Sequence, residues 1–144
     1  MTAPALVKHN AWVDTNIWFY ALSTGDEAKR IAANHLLDSL DHPVVNSQVI
    51  RELSINLLRK SSYDETAIQN LATSLYRDCH VAPESVSVFL RASELRKQHA
   101  FSYWDSLIVA AGLEAGCETI YSEDMQHGQL IDGQLTIVNP FAGA

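Results

Sequence analysis

A three-layer α/β/α sandwich built on a mostly parallel sheet is the fold class that the sequence predicts, and three observations carry it. Short apolar runs (Ala11-Trp12-Val13, Val44-Val45, Thr119-Ile120-Tyr121 and Leu135-Thr136-Ile137-Val138) alternate with longer segments of helical spacing. Strands that alternate with helices pair in parallel through right-handed crossovers. One helical run, Leu107-Ile108-Val109-Ala110-Ala111, is apolar nearly all round, as a central buried helix is. Finally, 144 residues of which 47% are hydrophobic suit one compact domain, residues 1–144, with a proper core.

The first strand covers 11–14 and its helix runs over 16–22, where Ile17, Tyr20 and Ala21 recur at i, i+3 and i+4. Ser23-Thr24-Gly25 stops it. Asp26 and Glu27 open a second helix, their acids favourably placed at its N-terminus; Ala28, Ile31, Ala32 and Leu36 form its apolar face, and Asp41-His42-Pro43 ends it. Val44-Val45-Asn46 is a short strand. Ser47 is read as the N-cap of the next helix, which buries Val49, Ile50, Leu53 and Leu57. A further helix over 64–77 keeps Ile68, Leu71, Ala72 and Leu75 in register. Cys79 to Ala82 reads as a third strand, and Pro83 suits the start of a helix over 84–98. Tyr103-Trp104-Asp105 leads into the central helix, and Gly116 fits its C-terminal cap. A strand over 119–121, a loop over 122–128 and a last strand over 135–138 complete the chain, with no linker, internal repeat or low-complexity tract.

Composition narrows the function. No apolar run approaches the ~18 residues that span a bilayer, and residues 1–10 lack the apolar stretch of a secretory leader. Two cysteines, Cys79 and Cys117, are too few and too far apart for a disulfide framework or a zinc site, which points to a reducing cytoplasm. The histidines at 9, 35, 42, 80, 99 and 127 have no metal-ligand spacing. A net charge of -7 argues against a nucleic-acid partner until its distribution is considered. No Lys or Arg follows Lys97, whereas Arg51, Arg59, Lys60, Arg77, Arg91, Arg96 and Lys97 crowd the middle. That division suits a cation-dependent site flanked by phosphate-binding surface, although any one of these cations alone reads as part of a solvated helix face.

Four carboxylates stand out. Asp14 lies where a strand passes into a helix, and alone it reads equally as an N-cap. Glu52 is mid-helix, with Gln48, Val49, Ile55 and Asn56 at i±3 and i±4. It lacks a local salt-bridge partner and is read as lying off the wet face, so it needs a tertiary partner or a cation. Asp105, a plausible cap, is flanked by Phe101, Ser102, Ile108 and Val109, again without positive charge. Asp124 is the weakest alone, since Asp is common in turns; its position just past a strand recommends it. Open α/β sheets bind ligands where strands end and helices begin. Four acids converging there repel one another unless a hard cation sits between them. Mg²⁺ takes oxygen ligands and keeps waters, leaving room for a phosphate oxygen.

The order Val13-Asp14-Thr15-Asn16, the helical Gln48-Val49-Ile50-Arg51-Glu52-Leu53, then Tyr103-Trp104-Asp105-Ser106-Leu107-Ile108-Val109-Ala110-Ala111, and last Tyr121-Ser122-Glu123-Asp124, resembles a PIN-domain protein. The likeness spans roughly 11–141, and its single-domain length is similar to that of VapC-type toxins of bacterial toxin–antitoxin pairs. The resemblance implies a metal-dependent endoribonuclease. Asp14, Glu52, Asp105 and Asp124 match the acidic quartet, with Mg²⁺ or Mn²⁺ held by Asp14, Asp105 and Asp124. Asn16 and Ser122 match polar positions that support the site or touch substrate. Many relatives carry a second Asp and a Phe after the last acid, where this chain has Gln126 and His127; a fifth acidic ligand is therefore not expected.

The expected reaction is hydrolysis of an RNA phosphodiester, with Glu52 orienting the water or completing the metal shell. An antitoxin is expected to cover the acidic edge, and Trp18 and Phe19 on the early helices to bind that partner or form a homodimer unless they are core. Three alternatives stay open: a housekeeping PIN nuclease, a non-catalytic acidic binding module, and a phosphoacceptor receiver domain. The last lacks the lysine it needs after its later strands. An aspartyl-nucleophile phosphatase is disfavoured because Asn16 stands where its second acid belongs.

Overall fold

The computed structural model describes residues 10–143. Residues 1–9, most of the stretch read for a leader, and residue 144 lie outside it. The elements are β1 (Ala11–Val13), α1 (Thr15–Leu22), α2 (Glu27–Ser39), β2 (Val44–Asn46), α3 (Ser47–Lys60), α4 (Glu65–Asp78), β3 (His80–Ala82), α5 (Val86–Gln98), α6 (Tyr103–Glu114), β4 (Thr119–Tyr121), β5 (Leu130–Ile131) and β6 (Leu135–Val138).

Each helix begins where a short polar side chain closes an otherwise open backbone N–H. Asp14 caps α1, Asp26 α2, Asn46 α3, Asp64 α4, Ser85 α5 and Ser102 α6. Three of these differ from the sequence reading. Asn46, the last residue of β2, takes the place expected of Ser47 by accepting from the Val49 N–H at 3.0 Å. Ser85 starts α5 two residues beyond Pro83. Ser102, not Asp105, caps α6. At the far end of α6, Gly116 adopts φ 78°. The Cys117 N–H then reaches the Gly112 carbonyl at 2.9 Å and the Gly116 N–H the Leu113 carbonyl at 3.0 Å, which closes the helix in a Schellman motif.

The six strands form one sheet in the order β3-β2-β1-β4-β6-β5. All pairings are parallel except β5 with β6. The sequence reading had no β5. Its signal was Asp132-Gly133, whose φ values of 51° and 65° are the left-handed pair that tight hairpins require.

Alternation along the strands sends residues to two faces. Val13 and Tyr121 pack with Ile17 and Ala21 of α1 and Ala33 of α2. Trp12, Ile120 and Ile137 join the larger core beneath α6. There Gly112 lets the helix close on Ile120, since a Cβ at that position would stand 3.4 Å from the Ile120 side chain. Helices thus cover both faces, giving the three layers. Among the described residues no helix is long and apolar enough to cross a membrane. Cys79 and Cys117 are free and buried, and burial pushes their thiols up to about 11 and about 12.

The topology decides where a site forms. From β1 the sheet grows one way through β2 and β3, and the other way through β4. Ligands bind at the carboxyl ends of strands where the order reverses in this manner. Val13 is in register with Tyr121, so the residues that follow them, Asp14 and Ser122, emerge side by side.

Candidate active site

Asp14 is buried at the end of β1. Its Oδ1 accepts from the Thr15 N–H at 2.8 Å and its Oδ2 from the Ser122 hydroxyl at 3.0 Å. Burial is the main reason its carboxyl rises from the usual 3.8 to about 6. The Thr15 and Ser122 hydrogen bonds oppose the rise, while the charges of Glu52 and Asp105 add to it. Asp14 therefore plays both parts weighed in the sequence, capping α1 and standing among the acids.

Glu52 comes from the second turn of α3. The sequence reading placed it off the wet face, but the structure leaves it exposed, because the buried stripe of α3 runs through Val49, Leu53 and Leu57. Its carboxylate is nevertheless held, accepting from Thr15 Oγ1 at 3.1 Å and from Gln48 Nε2 at 3.2 Å. Thr15 thus bonds to Asp14 through its backbone and to Glu52 through its hydroxyl.

Asp105 sits in the first turn of α6, half-buried, its N–H donating to Ser102 Oγ at 3.1 Å. Its carboxyl is raised, first by burial and then by the charges of Asp124 and Glu52, against the Ser102 hydrogen bond. Asp124 lies in the loop after β4, exposed, and its Oδ2 accepts from Asn16 Nδ2 at 2.8 Å. Asn16 and Ser122, expected to support the site or touch substrate, are bonded to site carboxylates. A pocket of about 340 Å³ is bounded by Thr15, Asn16, Phe19, Glu52, Asn56, Lys60 and Asp124. A second, of about 190 Å³, is lined by Phe101, Asp105, Asp124 and Gln126. Asp124 is the shared wall.

Three features escaped the sequence reading. Thr15 is one. The second is a ladder along α3, Gln48, Glu52, Asn56 and Lys60, four residues apart and so on neighbouring positions of one helix side; its spacing was there to be read. Lys60 brings a positive charge to the pocket. The third is a brace behind the Asp124 loop. Lys29 Nζ donates to Glu123 at 2.5 Å, Tyr20 donates to the same carboxylate at 2.8 Å, and Lys29 lies over the Tyr20 and Phe141 rings at 4.7 and 5.4 Å. The other mid-chain cations divide. Arg51, Arg77, Arg91 and Lys97 pair with Glu84, Asp78, Glu114 and Glu94 at the surface. Arg96 instead lies beside the first turn of α6, donating to Ser106 Oγ at 2.7 Å.

Among the described residues no Lys or Arg forms an ion pair with Asp14, Glu52, Asp105 or Asp124. Nor do any three acidic, histidine or cysteine groups there stand as a ready-made chelating set. The donor chemistry still fits a hard divalent cation. Every donor is oxygen, and the repulsion that adds to the burial of Asp14 and Asp105 is what a cation relieves. His127, three residues after Asp124, is held away by the C-terminal segment, its Nδ1 accepting from the Asn139 N–H at 3.0 Å.

Fold and site together define a class: an α/β protein with an acidic cleft at the reversal point of its parallel sheet. The model of the PIN domain matches residues 11–130, and the chain belongs to the PIN-domain family. Two solved structures are similar to it. One, a toxin–antitoxin complex from Klebsiella pneumoniae, superposes with a TM-score of 0.71 at 17% identity, over 92% of this chain and 98% of that one. The other is Mycobacterium tuberculosis VapC20, a sarcin–ricin loop cleaving toxin, with a TM-score of 0.66 at 22% identity over 80% and 90%. At these identities the likeness is one of fold. No curated protein sequence matches the chain.

Proposed function

We propose that this PIN-domain protein is a Mg²⁺- or Mn²⁺-dependent endoribonuclease and the toxin of a toxin–antitoxin pair, acting in the cytoplasm. The observation that carries the reading is the set of four carboxylates from four separate elements at one strand-end cleft, two of them raised first by burial and then by the other acids' charges. A stable fold has no use for that repulsion, since burying unpaired charge is costly. Strongly perturbed groups in a cleft mark functional sites. The solved toxins with this fold favour the toxin reading over RNA housekeeping.

Asp14, Asp105 and Asp124 would hold the cation, which when bound supplies charge neutralisation and Lewis acidity at a phosphate. The protein's own groups do the rest. The Ser122 and Asn16 side chains fix the Asp14 and Asp124 carboxylates. Glu52, oriented by Thr15 and Gln48, accepts a hydrogen bond from the attacking water and points its oxygen toward phosphorus. Water adds in line and gives up one proton to solvent, the P–O bond to the leaving nucleoside breaks, and that oxygen takes one proton back from solvent. Lys60 attracts a flanking phosphate, giving affinity without sequence information.

Trp18 and Phe19 are half-buried against the core. Trp18, with Leu22, Leu37, Leu40 and Leu71, lines an apolar groove of about 330 Å³ between α1, α2 and α4. The antitoxin is proposed to seat apolar side chains in that groove and, by a separate segment, to bring a basic side chain to the acidic edge. A homodimer is assigned to α5, where Val86, Phe89 and Leu90 are exposed at i, i+3 and i+4. The test is Asp105→Asn. Its RNA cleavage in Mg²⁺ is expected to fall at least about a hundredfold, as for loss of an electrostatic stabiliser; wild-type activity in the variant overturns the assignment.

A further inference from the structure

α6 is buried from Ser106 to Leu113, yet its first turn presents Tyr103 and Trp104 to solvent, 51% and 61% exposed. Their rings meet edge to face, 5.4 Å apart at 86°. Arg96 lies over the Tyr103 ring at 4.6 Å, and its bond to Ser106 Oγ fixes it there, Ser106 in turn donating to the Tyr103 carbonyl at 2.6 Å. Among the described residues Arg96 pairs with no carboxylate. Asp105 is the next residue along, and it lines the pocket that also holds Phe101 and Asp124.

We propose that Trp104 and Tyr103, with Arg96 against the Tyr103 ring, form a stacking platform for an unpaired RNA base next to the scissile phosphate. The inference rests on the ribonuclease reading and adds to it the form of RNA preferred. Water-exposed aromatic rings side by side, outside any core, are the parts from which single-strand sites are made: every base has a π-face to stack, and a nearby guanidinium meets the backbone charge. Two rings at right angles cannot both lie flat on a continuous base stack, so the platform favours a base splayed out of a loop over one held in a duplex. An antitoxin helix would want apolar side chains in a continuous row, and Ser102 and Asp105 interrupt this one.

The test uses the whole protein in calcium buffer with two labelled probes, a single-stranded RNA hexanucleotide and the same backbone carrying abasic riboses. Binding is read by anisotropy, and cleavage of the first probe is read separately in Mg²⁺. Trp104→Ala is expected to weaken binding of the base-bearing probe by about tenfold or more, as base–aromatic stacking does, and to leave the abasic probe unchanged. Trp104→Phe should restore most of the loss. Because Trp104 is outside the core, circular dichroism should show both variants folded. If Trp104→Ala weakens both probes equally, or neither, while the wild type binds and cleaves RNA, the platform is overturned and the nuclease reading stands. If the wild type neither binds nor cleaves RNA, both fall together.

Discussion

Asp14 shows how a single residue joins stability to activity. Its carboxyl titrates near 6 in the folded chain against 3.8 ordinarily, a difference that corresponds to roughly 3 kcal/mol. The sign follows from proton counting. Between those two values the folded state binds the proton and the unfolded state does not, so stability falls as pH rises through 4 to 6. The whole penalty is present at pH 7. Metal-free protein in chelator is therefore expected to gain stability when Asp14→Asn removes the buried charge. Urea unfolding should show a gain of about 1–3 kcal/mol at pH 7.5 that vanishes near pH 3.5; a variant less stable than wild type at pH 7.5 would contradict this. Such a residue was only half legible. Its strand-to-helix position is written in the chain, but burial and the distant Glu52 and Asp105 charges belong to the fold.

Elements place these residues, and their caps place the elements. The Asp caps at 14 and 26 were readable because a short side-chain oxygen stands before each helix, whereas Ser85 and Ser102 were passed over and the cap of α3 slipped by one residue where two polar residues adjoin, at Asn46-Ser47. The β5 hairpin was missed because its strand has two residues, too few for alternation to register. Two predictions belong here. Gly116 occupies a left-handed conformation at the end of α6, so Gly116→Ala should cost about 1 kcal/mol in chemical denaturation, with RNA cleavage unchanged in the folded fraction. Lys29 ties α2 to the Asp124 loop through Glu123. Lys29→Met is expected to slow RNA cleavage several-fold while leaving helix content by circular dichroism intact, because the loop loses its brace and the helices do not. An unchanged rate would show that Asn16 alone positions Asp124.

On the scale of the whole molecule, the layered fold, the strand alternation and the convergence of four distant acids were all legible, because each rests on a period or a position that survives folding. Thr15, the α3 polar ladder and the Lys29 brace were not read, since their meaning depends on which helices become neighbours. The charge asymmetry also acquired its sense only in three dimensions. Most mid-chain cations are spent on surface pairs, which contribute little to stability, and only Lys60 enters the larger pocket. Asp14, Asp105 and Asp124 acting as one cation site, with Glu52 beside them, is the central claim. A Mn²⁺ titration followed by the electron paramagnetic resonance signal of the free ion tests this most directly. Wild-type protein should take up the ion and quench the signal, and the Asp14→Asn, Asp124→Asn double variant should not; equal uptake by both, or none by the wild type, would contradict the account.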